Sequence, residues 1–303
     1  MKEVYRKSLP AQGITWALLS IAASAVLCLC LQALPAYAAT KASAGARAVG
    51  LATNTLYSAY DITGDGKSDE LRIQSYDGGG GVSISIYVNG ARAFRHKCYG
   101  YAAFAKLVVL KNGVPFLHIN VDGDNGSSDF NRLLQYLGGK FKTAIDLNKA
   151  YSSKIRDSKF NDVVAVRGNT VTVRSCVQFM NTGNLDADFV YRYKAGSFKK
   201  SGTAGKVASV CGCKASRSFE ALKKITVYKE KNCKKSKFTI KKGQKVRFVK
   251  VYAKGSKVAI WVKVGKRTGW IKTSRQYNKT GWKLMYNDDH GYRPPFKGLF
   301  LAG

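Results

Sequence analysis

Val82-Ser83-Ile84-Ser85-Ile86-Tyr87-Val88 alternates apolar and polar residues at every step, and Asn89-Gly90 follows directly. A period of two puts Val82, Ile84, Ile86 and Val88 on one face of a strand, and Asn-Gly suits the positive backbone dihedrals of a two-residue hairpin turn. The pattern recurs. Lys111-Asn112-Gly113 separates residues 105–110 from 114–121, and Arg167-Gly168-Asn169 joins Asp162-Val163-Val164-Ala165-Val166 to Thr170-Val171-Thr172-Val173-Arg174. This density of strands and turns constrains the chain to an all-β fold. Three blocks, at about 55–98, 104–147 and 160–201, each read as four short strands. Repeating blocks of this size suggest blade-like units, so residues 50–200 are expected to form a β-meander domain, propeller-like or a sandwich.

The N-terminus carries an address. Lys2, Arg6 and Lys7 precede an apolar run from about Ile14 to Leu34, and Ala36-Tyr37-Ala38 offers small residues at cleavage spacing. These are the parts of a signal peptide, expected at 1–38, which sends the rest of the chain out of the cytoplasm. If uncleaved, the same run is near the length of a membrane anchor, the one expected contact with a membrane. Bulky Leu27 and Leu29 precede Cys28 and Cys30, which fits a lipoprotein site poorly. Five cysteines follow the leader: Cys98, Cys176, Cys211, Cys213 and Cys233. Disulfides are permitted in an exported chain, but an odd number leaves one thiol over.

Charge divides the chain. The 51 Lys and Arg outnumber the 18 Asp and Glu, for a net +33, and residues 219–303 alone hold 23 basic and 4 acidic residues. With 45% hydrophobic residues the chain still has material for packed cores. Residues 201–218, rich in Gly, Ser, Ala and Lys, read as a linker. Outside a cell, a polycation of this kind meets wall polymers, anionic lipid headgroups and released nucleic acid.

Asp61-Ile62-Thr63-Gly64-Asp65-Gly66-Lys67-Ser68-Asp69 places oxygen donors at alternate positions, with glycines that let the backbone curl. Ca²⁺ prefers such an all-oxygen set. Asp61, Thr63, Asp65 and Asp69 would give side-chain oxygens and Lys67 its carbonyl. Arg72 stands where an EF-hand needs its twelfth-position acid, and β-type sequence follows. The stretch instead resembles the Asp/Gly-rich calcium loops of FG-GAP and related β-propeller repeats over about ten residues, which implies a strand–loop–strand site. A second acidic stretch, Asp122 to Asp129, follows Val121 in the same way.

From Lys224 the chain reads as five short strands in about fifty residues. In 258–264, Val258, Ile260, Val262 and Val264 share the face expected to pack inward, while Ala259, Trp261 and Lys263 share the other. Val227-Tyr228, Lys242-Gly243-Gln244-Lys245-Val246, Trp261-Val262-Lys263-Val264 and Gly269-Trp270-Ile271 resemble, in order, the bacterial SH3-like domain of exported cell-envelope proteins over residues 223–273. The resemblance implies a small β-barrel, with its domain placed at 219–275, and a ligand such as peptidoglycan or another wall component. Tyr228, Tyr252, Trp261 and Trp270 are the rings expected to line its groove, ringed by lysines. The aromatic tail 276–303 is expected to pack on the barrel.

Catalytic material is thin. The 3 histidines have no metal-ligand spacing, and Cys98 with His118 is the only nucleophile–base pair worth testing. The expected function is therefore that of an exported, non-catalytic envelope protein, secreted or wall-associated, binding peptidoglycan or an anionic wall polymer, with Ca²⁺ in its first domain. A cell-wall hydrolase and an extracellular binder of nucleic acid or other polyanions are the alternatives. No recognition helix or RNA-binding fingerprint accompanies the charge, so no sequence-specific nucleic-acid partner is expected.

Overall fold

A computed structural model describes residues 45–123, 128–149, 161–179, 181–209, 218–254, 257–273 and 294–299. The expected signal peptide, Cys211 and Cys213 lie outside the described residues, as do 124–127 of the second acidic stretch and most of the tail. Among the described residues every regular element is a β-strand and every pairing is antiparallel. None of them forms a helix long and apolar enough to cross a membrane.

After β1 (Arg47–Leu51) come three four-stranded meanders. The first is β2 (Thr55–Tyr60), β3 (Asp69–Asp77), β4 (Gly81–Val88) and β5 (Ala91–Tyr99), paired in chain order. The second is β6 (Ala102–Val109), β7 (Pro115–Asp122), β8 (Phe130–Leu137) and β9 (Lys140–Asp146), with β1 added beside β6. The third is β10 (Asn161–Arg167), β11 (Thr170–Phe179), β12 (Gly183–Lys194) and β13 (Ser197–Lys200). The three blocks read from the sequence are thus three meanders. Asn89 (φ 50°) and Gly90 (φ 78°) make the turn expected of them.

Packing explains why the first meander alternates cleanly and the second does not. Leu71, Ile73, Val82, Ile84, Ile86 and Val88 turn one face of it against Leu107, Leu117, Ile119 and Val121 of the second sheet. The opposite face of that second sheet gives Val108, Phe116 and Leu133 to another core, shared with Val163, Val171 and Val173 of the third. A sheet buried on both sides needs apolar residues at successive positions, as in Leu107-Val108-Val109 and Phe116-Leu117. Each such side chain stabilises the fold by roughly 1.5–3 kcal/mol.

The C-terminal strands are β14 (Ala204–Ser209), β15 (Ser218–Glu220), β16 (Ile225–Tyr228), β17 (Ser236–Ile240), β18 (Lys245–Lys254), β19 (Lys257–Val264) and β20 (Arg267–Lys272). β18, β19 and β20 pair successively, β20 pairs with β16, and β16 with β17. The linker reading of 201–218 is corrected at 204–209. There β14 pairs with β12 on one side and β18 on the other, carrying one continuous sheet from the third meander into the basic module. Only Gly205 and Val207 turn inward in this strand, too little apolar signal to reveal it. A Cβ on Gly205 would lie 2.7 Å from the Phe189 ring, so glycine is what lets that ring cover the junction. At the far end Phe296 pairs with Ala221 and is fully buried against Phe248, ring centroids 5.1 Å apart. In the described part of the tail Pro295 and Phe296 are buried, while Lys297 and Gly298 stay exposed.

Candidate functional site

Register in the basic module builds a ladder of rings. Tyr228 on β16 lies opposite Trp270 on β20, Trp270 opposite Trp261 on β19, and Trp261 opposite Lys250 on β18. Directly opposed residues share a face, so these side chains form one row across four strands. The row runs on through Lys206 on β14, Asp188 on β12 and Arg174 on β11. Residues of the other parity, among them Val227, Ile260, Val262 and Ile271, are buried beneath it, as expected for 258–264.

A bulge sets part of this row. Val246 and Phe248 turn inward, and simple alternation would send Lys250 and Tyr252 after them. The register instead shifts between Phe248 and Lys250, so Val251 takes the inward place and Lys250 and Tyr252 join the outer face. Redirecting side chains is what an extra residue in a strand does.

The rings have different roles. Trp261 and Trp270 meet edge to face with centroids 5.1 Å apart, and both are half-buried, as is Tyr228. Tyr252 is buried beside Trp270, with the Lys231 ammonium 4.7 Å from its ring centre. Tyr252 therefore props the Trp pair, and Tyr228, Trp261 and Trp270 are the half-exposed rings of the row. Asp188 accepts two hydrogen bonds from Arg174, at 2.8 and 3.1 Å, and these bonds raise the arginine pKa despite partial burial. Lys206 and Lys250 make no ion pair among the described residues and stand exposed, Lys250 opposite Trp261 and Lys206 opposite Lys250. Sequence reading missed Lys206, because the strand carrying it was not legible.

The Asp61–Asp69 loop joins β2 to β3, as a strand–loop–strand. Asp61 accepts N–H bonds from Gly64 and Gly66, at 2.6 and 2.9 Å, and Asp65 one from Lys67 at 2.8 Å. Asp69 is buried and accepts from the Ile62 and Thr63 amides and from the Asn89 side chain, at 2.7 to 2.8 Å. Burial pushes its pKa up, but these donors outweigh it and hold the carboxyl below the ordinary value. Among the described residues no three His, Cys, Asp or Glu side chains converge on one point. The side-chain donors of the loop are all oxygens, the type of ligand Ca²⁺ takes. Asp65 is exposed with one oxygen free of these bonds, and the buried Thr63 hydroxyl lies beside Asp69 without a full hydrogen bond. The loop holds hard oxygens around an internally stapled Asp69 rather than a finished cage.

Cys98 and His118 do not meet. Arg132 lies opposite Ile119 and Leu133 opposite His118, so Arg132 and His118 point to opposite faces of the second sheet. Cys98 sits on the Arg132 side. Burial and Asp129 raise the thiol pKa, with Arg132 acting against them, so the group is held as a thiol. His118 is buried against the third meander, its Nε2 2.8 Å from Asn131 Oδ1. Burial lowers its pKa against the opposing pull of Asn131 and Asp162. Asn131 in turn donates to the Asn161 carbonyl, and Lys106 binds Asp162 at 2.5 and 2.6 Å. These bonds seal a polar seam between two meanders.

Comparison of the chain with protein-family models, with curated proteins and with solved structures finds no match.

Proposed function

We propose that the chain is an exported, non-catalytic protein of the cell envelope whose basic C-terminal module holds peptidoglycan or another acidic wall polymer. The observation that carries this reading is the outer-face row Tyr228–Trp270–Trp261 continuing into Lys250 and Lys206. Flat rings offer contact area to sugar faces at little ordering cost, and the adjacent ammonium groups attract carboxylate or phosphate. The resemblance of residues 223–273 to bacterial SH3-like domains supports the same class of ligand, and the leader-like residues 1–38 put the module where wall polymer is found.

Retention on purified wall sacculi tests this. The native chain is expected to stay bound between about 50 and 200 mM salt, because ring contacts do not screen as charges do. A Trp261→Ala, Trp270→Ala chain should lose about 2 kcal/mol, or roughly thirtyfold in affinity, as central aromatic contacts do. Equal retention of native and doubly substituted chains would sink the proposal. Loss of both at the higher salt would leave only charge attraction to any polyanion.

Calcium belongs to the same reading as a stabiliser of the first meander, held by Asp61, Thr63, Asp65, the Lys67 carbonyl and Asp69. Ca²⁺ at about a hundred times its dissociation constant is expected to add about 2.7 kcal/mol to folding, seen as a raised Tm relative to chelator. Asp61→Asn with Asp65→Asn should abolish the shift. A native Tm indifferent to Ca²⁺ removes calcium from the account.

A further inference from the structure

The first meander has an outer face that the function above does not use. Its inner face is the apolar one of Val82, Ile84, Ile86 and Val88. On the other side the register makes three rows: Arg72–Tyr87–Arg92, Gln74–Ser85–Arg95 and Tyr76–Ser83–Lys97. Tyr99 lies beyond them, opposite Gly81. The middle strand β4 thus carries short Ser83 and Ser85, with longer side chains on β3 and β5 to either side. At about 4.8 Å between strands, the walls stand about 10 Å apart, the width of a single extended polymer chain.

Charge and exposure give this trough a character. Arg72, Arg92, Arg95 and Lys97 are all exposed, and none makes an ion pair among the described residues. Glu70 is the one carboxylate on this face of β3, at its far end beside the Asn89 turn. Arg72 lies over the Tyr87 ring, 4.9 Å from its centre, which fixes its direction. Tyr76 and Tyr99 are 73% and 44% exposed, far more than rings of a packed sheet, and they flank the glycine turn at one end of the trough. A Cβ on Gly78 would stand 3.2 Å from the Tyr76 ring and one on Gly80 3.7 Å from that of Tyr99, so the two rings border the turn closely.

We propose that this trough binds an extended acidic polysaccharide, with Arg72, Arg95 and Lys97 pairing its carboxylate or phosphate groups and Tyr76 and Tyr99 holding sugar faces at one end. Arginine forks match such oxyanions bidentately. The floor decides against single-stranded nucleic acid, which stacks its bases on rings set along the binding track. Here the floor is Ser83 and Ser85, whose hydroxyls suit sugar hydroxyls; Tyr87, the one ring on this face of β4, is covered by the Arg72 guanidinium, and Tyr76 and Tyr99 stand at the margins. The choice of a wall-type polymer rests on the function proposed above, but the site is separate from the tryptophan row.

Fluorescein-labelled polygalacturonate, binding the full chain across a salt series, tests the inference, with dextran as neutral glycan and a twenty-nucleotide dT strand as competitor. Substituting Arg72→Gln, Arg95→Gln and Lys97→Gln together should weaken binding at least about tenfold and lower the salt slope by about two, as expected when three charge contacts go. Tyr76→Ala with Tyr99→Ala should weaken binding while leaving the slope in place. Dextran should not bind. All five residues are exposed, so Tm serves as a check that the variants remain folded. Native affinity in the charge variant overturns the trough, and so does tighter binding of the dT strand that the same substitutions abolish. The two sites fail separately: an unchanged Trp261→Ala, Trp270→Ala chain counts against the tryptophan row alone, and an unchanged charge variant against the trough alone.

Discussion

Phe248→Ala is expected to lower the stability of the chain by about 3–5 kcal/mol, and to do so in the third meander as well as in the basic module. Phe248 is fully buried, stacked on Phe219 at 4.8 Å and met edge to face by Phe296 at 5.1 Å. Truncation removes one ring from a triplet whose other two come from β15 and from the tail, so the void has walls on three separate segments and cannot close by moving one. Size alone would predict a local loss. The core argues otherwise, because Phe248 belongs to the same cluster as Phe189, Val173, Val163 and Val207, and β14 pairs with both β12 and β18. With about 2–4 °C for each kcal/mol in a domain near this size, the shift in Tm should be about 10 °C. Amide exchange discriminates. Protection is expected to fall in β10 to β12 together with β16 to β20. A separate early transition confined to 218–273, with β10 to β12 still protected, would show two modules joined only by a strand.

How far the sequence told of this depended on the range of the interaction. β4 was legible because its alternation and its Asn-Gly turn are local. β14 was not, since Gly205 and Val207 acquire meaning only when Phe189 and Val251 close over them from distant strands. The aromatic residues of the basic module were named from resemblance and pattern, but their joining into one row depends on strand register, and the outward turn of Lys250 and Tyr252 on a bulge that strict alternation contradicts. In the acidic loop, residue types were readable and roles were not. Asp69 binds the amides of Ile62 and Thr63 and the Asn89 side chain, so it serves the loop and the neighbouring turn first. The polar residues Ser83 and Ser85 looked like the solvent side of a strand until their neighbours on β3 and β5 were fixed.

Gly269→Ala should damage fold and binding together. A methyl group there would lie 2.4 Å from Val227 Cγ1 and 2.8 Å from the Tyr228 carbonyl oxygen. Neither neighbour can yield cheaply. Val227 is buried, and the Tyr228 oxygen is backbone in the strand that pairs with β20. Relief requires β16 and β20 to part, which weakens the Val227–Ile271 and Tyr228–Trp270 pairings that close the module. Overpacking of this kind costs about 1–3 kcal/mol where side chains can adjust, and a backbone obstacle pushes the value to the upper end or past it. Gly50→Ala is the control, because a Cβ there meets nothing within 4 Å. The Gly269 variant is expected to melt lower than the native chain, with a weakened near-ultraviolet signal from Trp261 and Trp270 and reduced retention on sacculi. The Gly50 variant should match the native chain in all three. Binding follows stability here for a geometric reason: Tyr228 is the end of the aromatic row, and the strand that carries it is the one the added methyl displaces. A Gly269→Ala chain with native Tm and native retention would mean that β16 is not held against β20 as closely as its packing requires.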